Sequence, residues 1–432
     1  MTHASLSGRF RFCALCCLVF MMALLGACDS GPAAGRNIDS QWHQRDLDTL
    51  LSRWLAVSPT TSGLFNTAID RHWHPLPSQR VELTMQSRLI YSMVAGYEVT
   101  GDRRYLDAAT HGADFLLEHF HDSTYGGFFD SVDMAGNAVN SGKKAYSHAF
   151  ALFALSHVAR VTRDARYRAA ALNAWHDIKL NLMDADGGIV TETSRDFHPS
   201  GDSRTQNPVM HLFEALLVLI DATGDPEALA GAQNVGHFVL YRLLKGEADG
   251  GAYITEWYDQ HWQPLPSREK GAYTEIGHQF EWVHLMADAE RRGLPSIYGM
   301  AGERVLKFAL KAGYDEDNGG VFSRVYPDEK GDRDKYYWQQ AEALRALMVV
   351  AANGKRPDLW RRYQQTLDLV KTQFVDGENG GWWTAIQPSC KSGHCDEGQP
   401  EPYHMIGLHM AALDLSRRTS IRPGPSVQGS GG

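Results

Sequence analysis

The sequence predicts an all-α protein, an (α/α)6 barrel of twelve helices with short β-hairpins in its longer loops. The first observation behind this is a repeat. A glycine doublet returns at Gly126-Gly127, Gly187-Gly188, Gly250-Gly251, Gly319-Gly320 and Gly380-Gly381, in steps of 61, 63, 69 and 61 residues, with a degenerate sixth copy around Gly63. A period this long holds two helices and a turn, so six copies imply six helix pairs closed on one another. The second observation is chemical. Each doublet follows acidic or polar residues and precedes β-branched or aromatic ones, which is turn chemistry feeding a short strand. The third is an alternation of connections. Short turns such as Thr100-Gly101-Asp102 and Thr223-Gly224-Asp225-Pro226 alternate with the long glycine-doublet loops.

Helical periodicity places the helices at 41–57, 81–99, 103–119, 144–162, 165–182, 207–223, 226–244, 277–292, 296–312, 335–353, 357–374 and 403–418. The even-numbered helices are apolar nearly all round, as in AFALFALSHVA, HLFEALLVLI and AEALRALMVVAA, so they form the inner ring. The odd-numbered helices carry charged faces, as in RRYLDAATHGADFL and DARYRAAALNAWHDI, and form the outer ring. Pro226 suits the first turn of helix seven.

Ahead of the barrel, Arg9 and Arg11 precede the apolar run FCALCCLVFMMALLGAC, which ends in Leu25-Gly26-Ala27-Cys28. This pattern resembles a bacterial lipoprotein signal, implying cleavage before Cys28 and its acylation. The alternative is an uncleaved anchor, against which the run is shorter than the ~20 residues a spanning helix needs. The chain then divides into a signal peptide 1–27, a tether 28–40, the barrel 41–418 and a tail 419–432 expected to be disordered. The expected location is the cell envelope, lipid-anchored and facing the periplasm. Loss of Arg9 and Arg11 moves the net charge from −9 to about −11, which disfavours nucleic acid and anionic membrane as partners. Contact with the membrane is expected only through the lipid. Cys390 and Cys395 bracket a polar loop, and outside the cytosol a disulfide is the expected state. Cys390, His394 and Cys395 as zinc ligands is the alternative, with no fourth ligand nearby and a spacing that fits no common zinc motif.

Unusual polar residues cluster at the starts of the even helices. These are Arg88 and Tyr91, then Lys144, Tyr146 and His148, then Asn207, His211 and Glu214. His278, Glu281 and Trp282 follow, then Trp338 and Glu342, and finally His404. In a helix-pair barrel the even helices all point one way, so these starts share one mouth. His211 with Glu214, and His278 with Glu281, have i,i+3 spacing and lie on one helix face. That spacing also suits a surface ion pair or a metal site. Trp338 and Trp383 are candidate sugar-stacking aromatics, and Tyr91 a candidate contact.

GHQFEW, NPVMHLFEA, KYYWQQAEAL and YHM, set on this repeat, resemble the N-acylglucosamine 2-epimerase family over about residues 60–415. The resemblance implies a sugar 2-epimerase or aldose–ketose isomerase that uses no metal and no organic cofactor. It implies that His278 and His404 are the acid/base pair and that Arg88 holds the substrate's oxygens. It further implies that Asn207, His211, Arg268 and Glu281 bind or orient the sugar. Many members carry Trp four residues before the position of Arg88, where this chain has Thr84. The chemistry agrees. A hydrogen α to an aldehyde needs a base poised near neutral pH and a fixed charge on the enediolate oxygen, which histidine and arginine supply.

Two other readings compete. One is a glycoside hydrolase on the same fold, using two of Glu214, Glu281 and Glu342. The other is a lipid-tethered sugar-binding protein without turnover. The expected partner is a small reducing sugar, with mannose the first choice, and the sequence leaves the oligomeric state open.

Overall fold

The computed structural model describes residues 38–421, apart from 79, 269–270, 327–330, 355, 388–392 and 396–397. The signal peptide, Cys28, Cys390 and most of the tail therefore lie outside the described residues. Among the described residues there are twelve α-helices: α1 (Ser40–Val57), α2 (Leu83–Thr100), α3 (Arg103–Phe115), α4 (Ala145–Thr162), α5 (Ala165–Asn181), α6 (Gln206–Thr223), α7 (Pro226–Phe238), α8 (Ile276–Arg291), α9 (Ile297–Gly313), α10 (Tyr337–Asn353), α11 (Pro357–Leu369) and α12 (Tyr403–Ile421). α3, α7 and α11 each continue into one π-turn. None of the helices is long and apolar enough to cross a membrane.

The two rings follow from burial. α4 buries Ala145, Ser147–Ser156, Val158 and Ala159, whereas its outer neighbour α5 buries only Tyr167, Ala171, Ala174, Trp175 and Ile178. The short connections work by paired caps. Gly101, Arg163 and Gly224 end inner helices in the left-handed region, and Asp102, Asp164 and Asp225 then accept backbone N–H bonds at the starts of outer helices.

The hairpins are smaller than the sequence suggests. Around most doublets there is one isolated bridge, such as His121 with Phe128 or Met183 with Ile189. The two-residue ladders instead join successive long loops. Residues 81–82 pair with 131–132, 143–144 with 192–193, 204–205 with 257–258, 274–275 with 324–325, and 335–336 with 385–386. Each ladder sits just before an inner helix, so the loops are stitched around the mouth from which those helices start.

The doublets have a packing reason as well as a conformational one. A Cβ on Gly127 would stand 2.7 Å from His148 Nε2 and 2.9 Å from Phe197, and one on Gly188 would strike the indole of Trp262. Phe197, Trp262 and Trp73 occupy equivalent turn tips at positive φ (66°, 60° and 67°), a conformation costing about 1–3 kcal/mol for such residues. Burial of the ring and an indole bond from Trp262 Nε1 to Asp184 Oδ2 (2.7 Å) offset the strain.

Two loops also enclose a cation. Lys143 Nζ donates to Asp122 Oδ2 and to the Gly126 carbonyl, both at 3.0 Å. Lys335 Nζ does the same with Asp315 Oδ2 (2.8 Å) and the Gly319 carbonyl (2.7 Å). Lys335→Met would leave the buried Asp315 carboxylate without its cation. The expected cost is about 3–5 kcal/mol in denaturant unfolding, the range for breaking one side of a buried pair. A loss under about 1 kcal/mol would show that the loop does not depend on this bond.

Candidate active site

The starts of the inner helices enclose a cavity of about 380 Å³ lined by Arg88, Tyr146, Asn207, His211, Glu275, His278, Arg324, Tyr336, Tyr337, Trp338, Glu401 and His404. Helix N-termini carry partial positive charge, so their convergence favours negative charge in this space.

Two histidines share one arrangement. His278 Nδ1 donates to Glu256 Oε1 at 2.8 Å, and His404 Nδ1 donates to Glu342 Oε1 at 2.8 Å. A carboxylate only accepts, so the proton sits on Nδ1 and Nε2 is the nitrogen left for a ligand. Glu256 is itself held by the Gln206 amide (3.1 and 3.2 Å), whose oxygen accepts from Trp282 Nε1 at 2.7 Å. Burial works against the charge of His278, but the Glu256 carboxylate, helped by Glu275 and Glu342, lifts its pKa above the ordinary value. The Trp338 ring touches both imidazoles, with centroids 5.0 Å from His278 and 5.4 Å from His404.

Arg88 stands in the wall between Glu401 and Tyr146. Its Nη1 donates to Glu401 Oε1 at 2.7 Å and its Nη2 to the Tyr146 hydroxyl at 2.6 Å. Its guanidinium also lies over the rings of Phe150 and Tyr403. Desolvation opposes its charge, yet Glu401 and the surrounding tyrosines keep its pKa above the usual arginine value. Arg324 is paired in the same way, with Nε 3.0 Å from Glu275 Oε2.

Beneath the cavity lies a layer of buried acids. Glu342 accepts from His404 on one oxygen and from His284 Nε2 (2.9 Å) on the other, with Arg345 3.7 Å away. Burial disfavours its charge, but these donors hold it well below the usual carboxylate range. Glu281 is the opposite case. Neither of its oxygens has a hydrogen-bond partner among the described residues, and burial beside Glu342 and Glu214 pushes its pKa well above the usual range. Its carboxyl therefore holds a proton more readily than a free glutamic acid does. His211 bonds Glu214 Oε2 at 3.1 Å, and burial lowers its pKa to about 4, so it is uncharged at neutral pH. Two groups, His211–Glu214–Glu281 and Glu281–Glu342–His404, bring potential ligand atoms within 4.8 Å of one another and could hold a cation. In each, the histidine Nδ1 is engaged by a carboxylate.

The sequence-derived residues separate into three sets. Arg88, Asn207, His211, His278, Trp338 and His404 line the cavity together. Glu281 is fully buried below it and meets His211 only at 3.9 Å. Tyr91, Arg268 and Trp383 are not in the wall. Tyr91 packs behind Arg88 against Phe153, His157 and Tyr403, one helical turn too deep. Arg268 lies 3.9 Å over the ring of Tyr326. Trp383 lies under the Arg71 guanidinium, because its neighbour Trp382 takes the inward side of the strand and bonds Asp46. Thr84 is buried and donates to Ser147 Oγ at 3.1 Å. Cys395 is disulfide-bonded on a strand against 385–386, while Cys390 lies outside the described residues. Sequence reasoning missed Glu256, Glu275, Arg324 and Glu401 as cavity or partner residues, while Tyr336 and Tyr337, at the start of the tenth helix, line the cavity as their place in the sequence suggests. Of those missed, Glu275 and Glu401 had a signal, each standing three residues before a candidate histidine, His278 and His404.

The carboxylates that the sequence offered for glycosidase chemistry, Glu214, Glu281 and Glu342, lie below the cavity, and the two that line it, Glu275 and Glu401, are paired with Arg324 and Arg88. An (α/α)6 barrel whose mouth holds two oriented imidazoles and a buried arginine defines a sugar epimerase or isomerase. Residues 63–407 match the N-acylglucosamine 2-epimerase (GlcNAc 2-epimerase) family, and the chain belongs to it. The D-mannose isomerase of Thermobifida fusca is 28% identical over 393 residues, covering 84% of this chain and 90% of that one. The cellobiose 2-epimerase of Bacteroides fragilis is 23% identical over 369 residues, covering 80% and 90%. A crystal structure of D-mannose isomerase superposes with a TM-score of 0.79 at 20% identity, covering 87% of this chain and 97% of that one.

The Glu256 bond has a measurable consequence. Glu256→Gln removes the charge that lifts His278, so the NMR titration of that imidazole should move to lower pH. A raised histidine pKa adds stability that is complete below the unfolded value of about 6.5 and is lost as pH rises through the folded value. The variant should therefore lose stability chiefly on the acid side. A titration unmoved or moved upward would contradict the assignment.

Proposed function

We propose that this isomerase interconverts a free reducing sugar of the mannose type at C1 and C2, with His278 and His404 as its proton carriers. The observation that carries the reading is the pair of Nδ1–carboxylate bonds, which leave two Nε2 atoms for one bound molecule. The elevated pKa of His278 suits it to donate, which leaves His404 as the base in that direction, and the roles reverse in the other. Removal of the C2 proton places negative charge on O1. Arg88 and the converging helix N-termini are preorganised to receive it. Trp338, in contact with both imidazoles, supplies an apolar face for the sugar.

Support for the substrate class comes from two sides. Relatives named as D-mannose isomerases stand among the similar proteins. The cavity is also charge-balanced, since Arg88 is paired with Glu401 and Arg324 with Glu275, which favours an uncharged sugar. The lipobox-like Leu25-Gly26-Ala27-Cys28 supports anchoring in the cell envelope, facing the periplasm.

Replacing either His278 or His404 with Asn should lower turnover roughly 10²–10⁴-fold, the span for a lost general acid or base. One single variant should still exchange the C2 hydrogen of one epimer with deuterated water, and the double variant should exchange neither. Near-parental turnover in both single variants would rule the mechanism out. Cys28→Ser should release the protein from membranes or leave an unprocessed precursor. Normal cleavage with unchanged membrane partition would exclude the lipid anchor.

A further inference from the structure

Glu401 is a cavity carboxylate that the proton transfer at carbon does not use. Glu256 and Glu342 are committed to histidine Nδ1 atoms, and Glu275 is held by Gln339 on one oxygen and Arg324 on the other. Glu401 is one of the groups on the guanidinium of Arg88. Its Oε1 lies 2.7 Å from Arg88 Nη1, and its Oε2 accepts the Tyr403 backbone N–H at 3.0 Å. Each carboxylate oxygen has room for a second donor. A sugar oxygen gripped by Arg88 therefore lies beside a carboxylate, three residues before the histidine proposed to act on C2.

Ketose formation needs more than a carbon acid and base. When histidine takes the C2 proton, the C–H electron pair forms C1=C2 and the carbonyl pair moves to O1. Returning a proton to C2 then gives the epimer and leaves O2–H untouched. Returning it to C1 gives the ketose, and the O2 proton must then leave while O1 gains one. We propose that Glu401 makes this transfer, accepting the proton from O2 and delivering it to O1, and so directs the enzyme to ketose formation. The carboxylate and the imidazole both return to their starting states, and no other reactant is needed. This inference rests on the proton-transfer reading above.

The test follows D-mannose in deuterated water by NMR, reading ketose formation and C2 hydrogen exchange separately. Glu401→Gln keeps the side chain's size and one acceptor oxygen, but its amide cannot carry the proton as a carboxylate does. Ketose formation should fall roughly 10²–10⁴-fold, and C2 exchange, which loses only the carboxylate beside Arg88, by much less, so the ratio of ketose to exchange drops. Equal losses in both, or unchanged ketose formation, would overturn the proposal. So would a parent enzyme that yields only the 2-epimer. A parent that neither converts nor exchanges any sugar would instead sink the proton-transfer reading itself, and this inference with it. If Glu401→Gln does not fold, Glu401→Asp decides, because its shorter reach should lower the ratio of ketose to exchange, and an unchanged ratio overturns the role.

Discussion

The alternation of a short turn with a long loop forces the six inner helices to run in one direction, and the site depends on that common polarity. Six helix starts then meet at one mouth, and side chains distant in sequence share one space. Arg88 and Glu401 are separated by 313 residues yet stand 2.7 Å apart. The ladders between successive loops hold the mouth in register, and the enclosed lysines Lys143 and Lys335 fasten two of those loops from within. The paired Asp caps on the other side make the short turns sharp enough for the outer helices to fold back.

Within that frame, burial sorts chemically similar groups into different states. Glu342 and Glu281 both lie fully buried on adjacent inner helices. Glu342 accepts from two imidazoles that hold its pKa well below the usual range, whereas Glu281, buried with no hydrogen-bond partner among the described residues and with Glu342 and Glu214 beside it, has its pKa pushed well above that range. The same logic separates the histidines. His211 is kept neutral by desolvation, while His278 is lifted by the carboxylate on its Nδ1.

The fold was legible in the sequence because it rests on periodic signals. Glycine spacing marks the loops, and all-round apolar helices such as HLFEALLVLI mark the inner ring. The first-turn residues Asn207, His211, His278, Trp338 and His404 were legible for the same reason, since a helix start fixes their direction. Failure came where direction depends on irregular backbone or on depth. Tyr91 is on the expected helix but a turn below the cavity, and Trp383 faces away because Trp382 takes the inward side. Glu256 lies on a loop with no period to mark it, and its partnership with His278 exists only after the loop packs on α6 and α8. The doublets were read as hairpin turns, yet their second glycine also makes room for an aromatic tip such as Trp262.

The central claim is that a proton, rather than a hydride, moves at C2 between oriented imidazoles. The direct measurement is to run the parent enzyme on D-mannose in deuterated water through many turnovers and read the recovered aldose by NMR. Deuterium should accumulate at C2, because an imidazole-bound proton exchanges with solvent between turnovers. Conversion that leaves C2 fully protiated would contradict the account.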